Sequence, residues 1–378
     1  MSEYDSEKSE MKKYLLNGGK KALLLENRGR IRFDKKGKLD SSIINAYNKY
    51  GFYILENVLS NVELKDIEND VLFFKERLPK DSNSKLDIQG RPALGIGCKA
   101  PTLFWSKPLG DPFGGTDIGN GRHPVKMYEP TPKKGVPQEV VFLTLGSLQF
   151  SDAFLRLTGH PDLLKIAEQI NGTDFVPFTE ALFFKEPGLG ASVAWHQDGT
   201  THWDTDYWDE SCHGFNFMAQ LYGSTPANGV WVVPGSHKLG KLNIKDIISK
   251  AGTERLPRAV PIVCGPGDIA ITNRQILHCS FANTSNDLRV TLNFGFHKRK
   301  SVLNISGGGF HSAPAVYDDA HIKERSKMVV YAISARKQRY IDEKPYVYKP
   351  FQNSKENLIW TKKVKNELRD YNLLDMSI

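Results

Sequence analysis

The 378-residue chain has no apolar run approaching the roughly 20 residues that cross a bilayer. No transmembrane helix is therefore expected. Cysteine is scarce: Cys98, Cys212, Cys264 and Cys279 show no paired spacing. That argues against a disulfide framework and a zinc cluster, and for reduced thiols in a cytoplasmic compartment. The first residues, Met1–Lys8, are too charged and mixed for a secretory signal. No internal repeat recurs, which excludes solenoids and propellers. The formal net charge of +8 invites a nucleic-acid partner, yet Glu139–His297 holds 11 Lys/Arg against 16 Asp/Glu. The positive excess lies at the two ends, where solvated faces explain it, so neither a nucleic-acid nor a membrane partner is expected.

What remains is a globular composition, 40% hydrophobic and 25% charged. Residues 1–40 are Lys-rich and read as a polar basic, loosely ordered N-terminal arm. From Ser41 to Arg77 the pattern is helix, strand, helix. Apolar residues repeat at three and four positions on either side of the strand-like Gly51–Leu59, and Ser60 stands where a helix cap is needed. Residues 81–138 are rich in Gly and Pro without a period and read as an irregular, lid-like insertion. A helical stretch is expected near Ser151–Ile170.

From Asp174 to Lys298 the pattern becomes β. Short strands recur at Ala181–Lys185, Phe215–Tyr222, Gly229–Val233, Ala259–Val263, Asp268–Thr272, Ile276–Phe281 and Arg289–Phe296, with turn residues between most of them. The expected fold is mainly β with flanking helices, an α+β chain around a jelly-roll, cupin-like core. The core domain is placed at 41–300. Residues 301–378 are expected to form a helical extension packed on it, with a helix near His321–Tyr340.

Within the β region, His196–Gln197–Asp198 follows a strand. A His and a carboxylate two residues apart on extended backbone project from one face, which is half of the two-His-one-carboxylate set that holds Fe(II). The similar triplet His202–Trp203–Asp204 sits in a polar aromatic loop and reads instead as pocket wall. His278, on its own short apolar strand, is the candidate third ligand, with a hydrogen-bonded core histidine as the competing reading.

The turn Asn283–Asp287 is expected to fold Ile276–Ala282 back onto Leu288–Phe296 as a hairpin. That would set Ser280 opposite Arg289–Thr291. Arg289 alternates with the wholly apolar face Val290, Leu292, Phe294 and Phe296, so it points into a lumen and needs an anion there. Its planar fork suits a carboxylate such as that of 2-oxoglutarate.

The ordered set of His196–Asp198, Thr225–Lys238, Gly265–Asp268, His278 and Arg289 resembles the phytanoyl-CoA dioxygenase family of Fe(II)/2-oxoglutarate oxygenases, over about residues 45–298. The resemblance implies a double-stranded β-helix core. It also implies iron held by His196, Asp198 and His278 as the catalytic centre, with 2-oxoglutarate anchored by Arg289 and Ser280 and O2 as the second cosubstrate. Family strands carry a lysine at the place of Lys185. Where members usually have a larger pocket residue, this chain has Met218. Trp195, His202 and Met218 are the expected substrate neighbours, while His297 and His311 are expected at the surface.

The resemblance implies hydroxylation of a small or medium-sized organic substrate with release of succinate and CO2. Related halogenating enzymes carry a small residue where Asp198 stands, so oxygen transfer is the expected outcome. Two alternatives stay open: a jelly-roll binding protein without chemistry, and a cupin-type metalloenzyme that does not use 2-oxoglutarate.

Overall fold

The computed structural model describes residues 3–119, 121–178, 180–198, 214–308 and 313–376. The chain opens with α1 (Glu3–Leu23), then β1 (Arg28–Gly29), α2 (Ser41–Tyr50), β2 (Phe52–Leu55) and α3 (Asn61–Arg77). Strands β3 (Leu103–Ser106) and β4 (Val140–Leu145) flank much of the Gly- and Pro-rich segment, and α4 (Asp152–Thr158) and α5 (Pro161–Asn171) follow. The β region comprises β5 (Val176–Pro177), β6 (Ala181–Lys185), β7 (Val193–His196), β8 (Gly214–Gln220) and β9 (Trp231–Val232). After α6 (Ile244–Ala251) it continues with β10 (Val260–Pro261), β11 (Ile269–Asn273), β12 (His278–Ser280) and β13 (Arg289–His297). Helices α7 (Asp319–Arg339) and α8 (Lys362–Glu367) lie in the C-terminal part.

Local chemistry explains the helix ends. Ser60 and Glu63 form a reciprocal capping box at α3, with the Ser60 amide donating to Glu63 at 2.8 Å. The single helix expected near Ser151–Ile170 is two. Gly159 and His160 end α4, and Pro161, which needs no amide partner at a first helical position, starts α5.

Two sheets face each other. The larger runs β1-β2-β11-β8-β13-β6-β4-β3, with β5 also paired to β13; the smaller runs β10-β9-β12-β7. Val290, Leu292, Phe294 and Phe296 of β13 pack outward against α4, α5 and α7 in the main apolar core. Arg289, Thr291 and Asn293 alternate with them and line a cavity between the sheets. This is the jelly-roll architecture.

The hairpin expected about Asn283–Asp287 does not form. β12 pairs with β7 and β9, whereas β13 pairs with β6, β8 and β5. The turn carries the chain from one sheet to the other, as closing a sandwich requires. Asn283 serves that turn: its side-chain amide donates to the carbonyls of Lys185, Glu186 and Asp287. Ser280 and Arg289 do meet, at 3.3 Å, but across the interior and not along a ladder.

The N-terminal arm is also not loose. Met11, Tyr14, Leu15 and Ala22 share one face of α1 at three-, four- and seven-residue intervals, and this stripe docks on the smaller sheet. Tyr14 stacks on Trp231 with ring centroids 4.4 Å apart and donates its hydroxyl to the Leu256 carbonyl at 3.0 Å. Gly18 permits the approach, since a Cβ there would lie 2.1 Å from the Trp231 ring. The stripe is only four residues among many lysines, which is why the composition of the segment hides it. Gly18→Val should therefore destabilise the protein by about 1–3 kcal/mol through overpacking, read as a lower denaturation midpoint. An unchanged midpoint would show that α1 adds nothing to the core.

Candidate metal and cosubstrate site

His196 ends β7 and His278 begins β12, and the two are register partners. Asp198 lies two residues past His196, where its amide donates to the Arg274 carbonyl at 2.9 Å. One ligand-type atom from each of His196, Asp198 and His278 falls within 4.8 Å of the others, and all three side chains are buried. Nδ1 of His196 lies 2.8 Å from the Ala194 carbonyl, and Nδ1 of His278 lies 2.9 Å from the Ile276 carbonyl. A carbonyl only accepts, so both rings carry their proton on Nδ1 and leave Nε2 with a bare lone pair. Nε2 of His196 is 3.6 Å from Oδ1 of Asp198. Burial pushes both imidazoles below their ordinary pKa and keeps them neutral, as metal ligands must be.

Asp198 is prepared from the other side. Burial pushes its carboxyl up, but the Arg274 and Arg122 guanidiniums outweigh this and hold it well below the carboxylate range. Asn216 of β8 donates to Oδ2 at 3.0 Å, and Arg274 donates to the Asn216 carbonyl oxygen at 3.1 Å, which fixes that amide's orientation. Oδ1 is thus the oxygen turned toward the imidazoles, and Arg122 reaches it at 3.2 Å. Two neutral imidazoles and one carboxylate with a cation resting on it are the donor set of a divalent metal site. The residues present fit Fe(II) on that ground.

Arg289 stands across the cavity, directly opposite Lys185 in register. Its Nε donates to Thr291 Oγ1 at 2.7 Å, and its Nη1 to the Asn228 carbonyl at 2.7 Å and to Ser280 Oγ at 3.3 Å. Thr291 in turn donates to Gln220 at 2.7 Å. Nη2 keeps no protein partner among the described residues. Burial lowers the guanidinium pKa to about 10, still protonated at neutral pH. Lys185 is buried too; its ammonium meets the Phe281 carbonyl, and burial with the Arg289 charge pushes its pKa well down. A buried guanidinium beside a buried amine calls for an acceptor, and an anion between them would favour the charged form of both.

The substrate-side expectations fare unevenly. Met218 lines the cavity. Trp195 does not: strand alternation turns it away from His196 into the Trp231 core, where its indole donates to the Glu254 carbonyl at 2.8 Å. His202 and Asp204 lie outside the described residues, as does His311. His297 is buried, not exposed; its Nε2 donates to the Met376 carbonyl at 3.1 Å as the C-terminal segment folds back.

Arg122, His123, Arg274 and Asn216 were not anticipated from sequence. His123 is fully buried with its ring 4.3 Å from that of His196 and 5.1 Å from Phe113, and both its nitrogens lack a hydrogen-bond partner among the described residues. A signal did exist for Arg122 and His123: an Arg-His pair between Gly121 and Pro124 is an unusual insert in an otherwise featureless loop. For Arg274, the signal was a lone cation between the apolar strands β11 and β12.

The fold and the buried His–Asp–His cluster define a jelly-roll protein with a cluster at its centre that could hold a metal ion. Residues 128–291 match the phytanoyl-CoA dioxygenase (PhyH) family model, so the chain is similar to that family over this stretch. It is 36% identical over 110 residues to phytanoyl-CoA dioxygenase 1 of Oryza sativa subsp. japonica, covering 27% of this chain and 37% of the rice protein. It is 25% identical over 173 residues to phytanoyl-CoA dioxygenase domain-containing protein 1 of Danio rerio, covering 42% of this chain and 58% of that protein. The matches thus span less than two thirds of either relative. Among solved structures, EctD from S. alaskensis, crystallised with 2-oxoglutarate and 5-hydroxyectoine, superposes with a TM-score of 0.50 at 16% identity, covering 74% of this chain and 85% of EctD. That likeness carries the fold alone. None of the described helices is long and apolar enough to cross a membrane.

Proposed function

We propose that this chain is an Fe(II)/2-oxoglutarate-dependent dioxygenase that hydroxylates a small or medium-sized organic molecule, with release of succinate and CO2. One observation carries the reading. A buried His–Asp–His cluster with its donor atoms converged shares a cavity with a buried arginine that keeps one guanidinium nitrogen free for a carboxylate. Bound iron, 2-oxoglutarate and O2 supply the oxidation: one oxygen atom enters a substrate C–H bond and the other ends in succinate.

The chain's own residues do the rest. His196, Asp198 and His278 would hold the metal, with Asn216 fixing which carboxylate oxygen points inward. Arg289, aided by Ser280 and Thr291, would orient the far carboxylate of 2-oxoglutarate, and Lys185 would share its charge. Phe113, Leu143, Leu145 and Phe183 give the cavity an apolar wall that excludes water. Asp198 would hold the metal where related halogenating enzymes carry a small residue, which supports oxygen transfer over halogenation.

The test is anaerobic addition of Fe(II) and then 2-oxoglutarate to the purified protein. The expected result is a weak visible charge-transfer band and one bound iron per chain. Iron binding without the band would support the cupin-type alternative. Absence of both would support a binding protein without chemistry.

A further inference from the structure

The cavity has a second cationic end, which the cosubstrate reading leaves unused. On β13, Arg289 stands opposite Lys185, and Asn293 opposite Ala181 and Met218. Gly295, further along, stands opposite Asn216. From Arg289 to Gly295 is six residues, roughly 20 Å of strand. One end of this lane holds Arg289 and Lys185. The other holds Arg274, whose guanidinium donates to Asn216 at 3.1 Å and lies 4.0 Å over the Phe178 ring. Between them the larger sheet offers Phe183, Leu143, Leu145 and Met218.

Arg274 is fully buried, yet its Nε and Nη2 have no hydrogen-bond partner among the described residues. Leaving guanidinium donors dry and unpaired is expensive, so a site built this way calls for an acceptor. Charge points the same way. Among the described residues lining the cavity, Arg122, Lys185, Arg274 and Arg289 face only Asp198 and Asp375. A divalent metal and a dicarboxylate cosubstrate neutralise each other, and Asp198 becomes a ligand. Asp198 would then share its charge with the metal, and Asp375 is the one other carboxylate lining the cavity among the described residues.

The geometry points to a small-acid substrate: one carboxylate seated on Arg274, with an apolar body lying along Phe183, Leu143 and Met218. This rests on the iron and 2-oxoglutarate reading above. Arg274 would then be a binding and specificity-determining residue, beyond its effect on Asp198 through Asn216.

The test is anaerobic calorimetric titration of the Fe(II)- and 2-oxoglutarate-loaded protein with hexanoate, octanoate and decanoate, each against its isosteric amide. Metal content and the charge-transfer band are recorded for every variant, so that binding is read only on loaded protein. At least one acid should bind, about tenfold or more tighter than its amide, the size expected of a charge-assisted fork. Arg274→Gln should erase that preference. Asp375→Asn, which removes the carboxylate coupled electrostatically to Arg274, should tighten acid binding. Because Arg274 supports Asp198 indirectly, Asp375→Asn keeps the idea exposed even if Arg274→Gln folds poorly. Amides that bind as well as acids, a preference that survives Arg274→Gln, or no acid binding to protein that shows the band overturns the assignment. A missing band in the wild type overturns the cofactor reading instead. Acid binding that still requires Arg274 in such protein upholds the anion site by itself.

Discussion

Asp198→Ala should bind Fe(II) more than about a hundredfold more weakly than the wild type, since even residues that only support metal ligands are worth 10–100-fold. Its second effect is less usual. In the metal-free protein Asp198 is the counter-charge for Arg122 at 3.2 Å, and through Asn216 it is linked to Arg274. Truncating it removes the buried carboxylate that faces both guanidiniums, so the metal-free variant should also lose about 3–5 kcal/mol of stability, as when one partner of a buried ion pair is removed. His278→Ala removes a ligand without removing a charge. It should lower iron binding comparably while leaving the arginines paired, with a stability loss set by the cavity it opens. The pair of measurements is iron content of the folded variants and their denaturation midpoints without metal. Wild-type iron content in Asp198→Ala would remove it from the site. Equal stability of Asp198→Ala and wild type would remove the charge argument.

The features legible in the sequence were those encoded in short range. Alternation marked the strands of the β region, and the apolar run Val290, Leu292, Phe294 and Phe296 told which way Arg289 points. Ser60 marked a helix start. His196 and Asp198 were recognisable because two residues on extended backbone share a face. What the sequence did not give was partnership across space. A turn between β12 and β13 looks the same whether the strands pair or separate into facing sheets, and only closure of the sandwich decides. So the contact of Arg289 with Ser280 was correctly anticipated for a wrong geometric reason. The insertion hid most. Arg122 and His123 are polar residues in a loop without period, and nothing local says that the loop dives between two sheets. The helix α1 was obscured by its lysines, because four docking residues carry little weight in composition.

These misses share a physical origin. A jelly roll builds its cavity from inward faces of strands distant in sequence, and the cavity's ends are closed by whatever chain lies beyond the core. Here Phe113, Arg122 and His123 come from the insertion, and Asp375 from the C-terminal segment held by His297. The candidate metal ligands His196, Asp198 and His278 sit on or beside the scaffold strands and read from sequence. Phe113, Arg122, His123 and Asp375 sit on the closures and do not. This is why the likeness to the family extends to the candidate metal ligands and stops short of a substrate.

Arg289→Ala should abolish discrimination in favour of 2-oxoglutarate. The guanidinium uses Nε and Nη1 to hold itself against Thr291, Asn228 and Ser280, so it is pre-positioned, and Nη2 is the free donor. A carboxylate that docks there gains a charge-assisted hydrogen bond and displaces no protein partner. With Lys185 beside it, the anchor is worth about 2–4 kcal/mol, or roughly 30- to 1000-fold in affinity. The informative comparison is between 2-oxoglutarate and 2-oxobutyrate, which keeps the metal-chelating end and lacks the far carboxylate. Wild type should bind 2-oxoglutarate far more tightly, followed by titration of the charge-transfer band under anaerobic conditions. Arg289→Ala should bind the two alike while its iron content stays at the wild-type level, because no iron ligand contacts Arg289 among the described residues. Arg289→Lys restores charge without the fork, and should fall between them. If 2-oxoglutarate keeps its advantage in Arg289→Ala, its far carboxylate sits elsewhere, and Lys185→Met becomes the variant that must lose it.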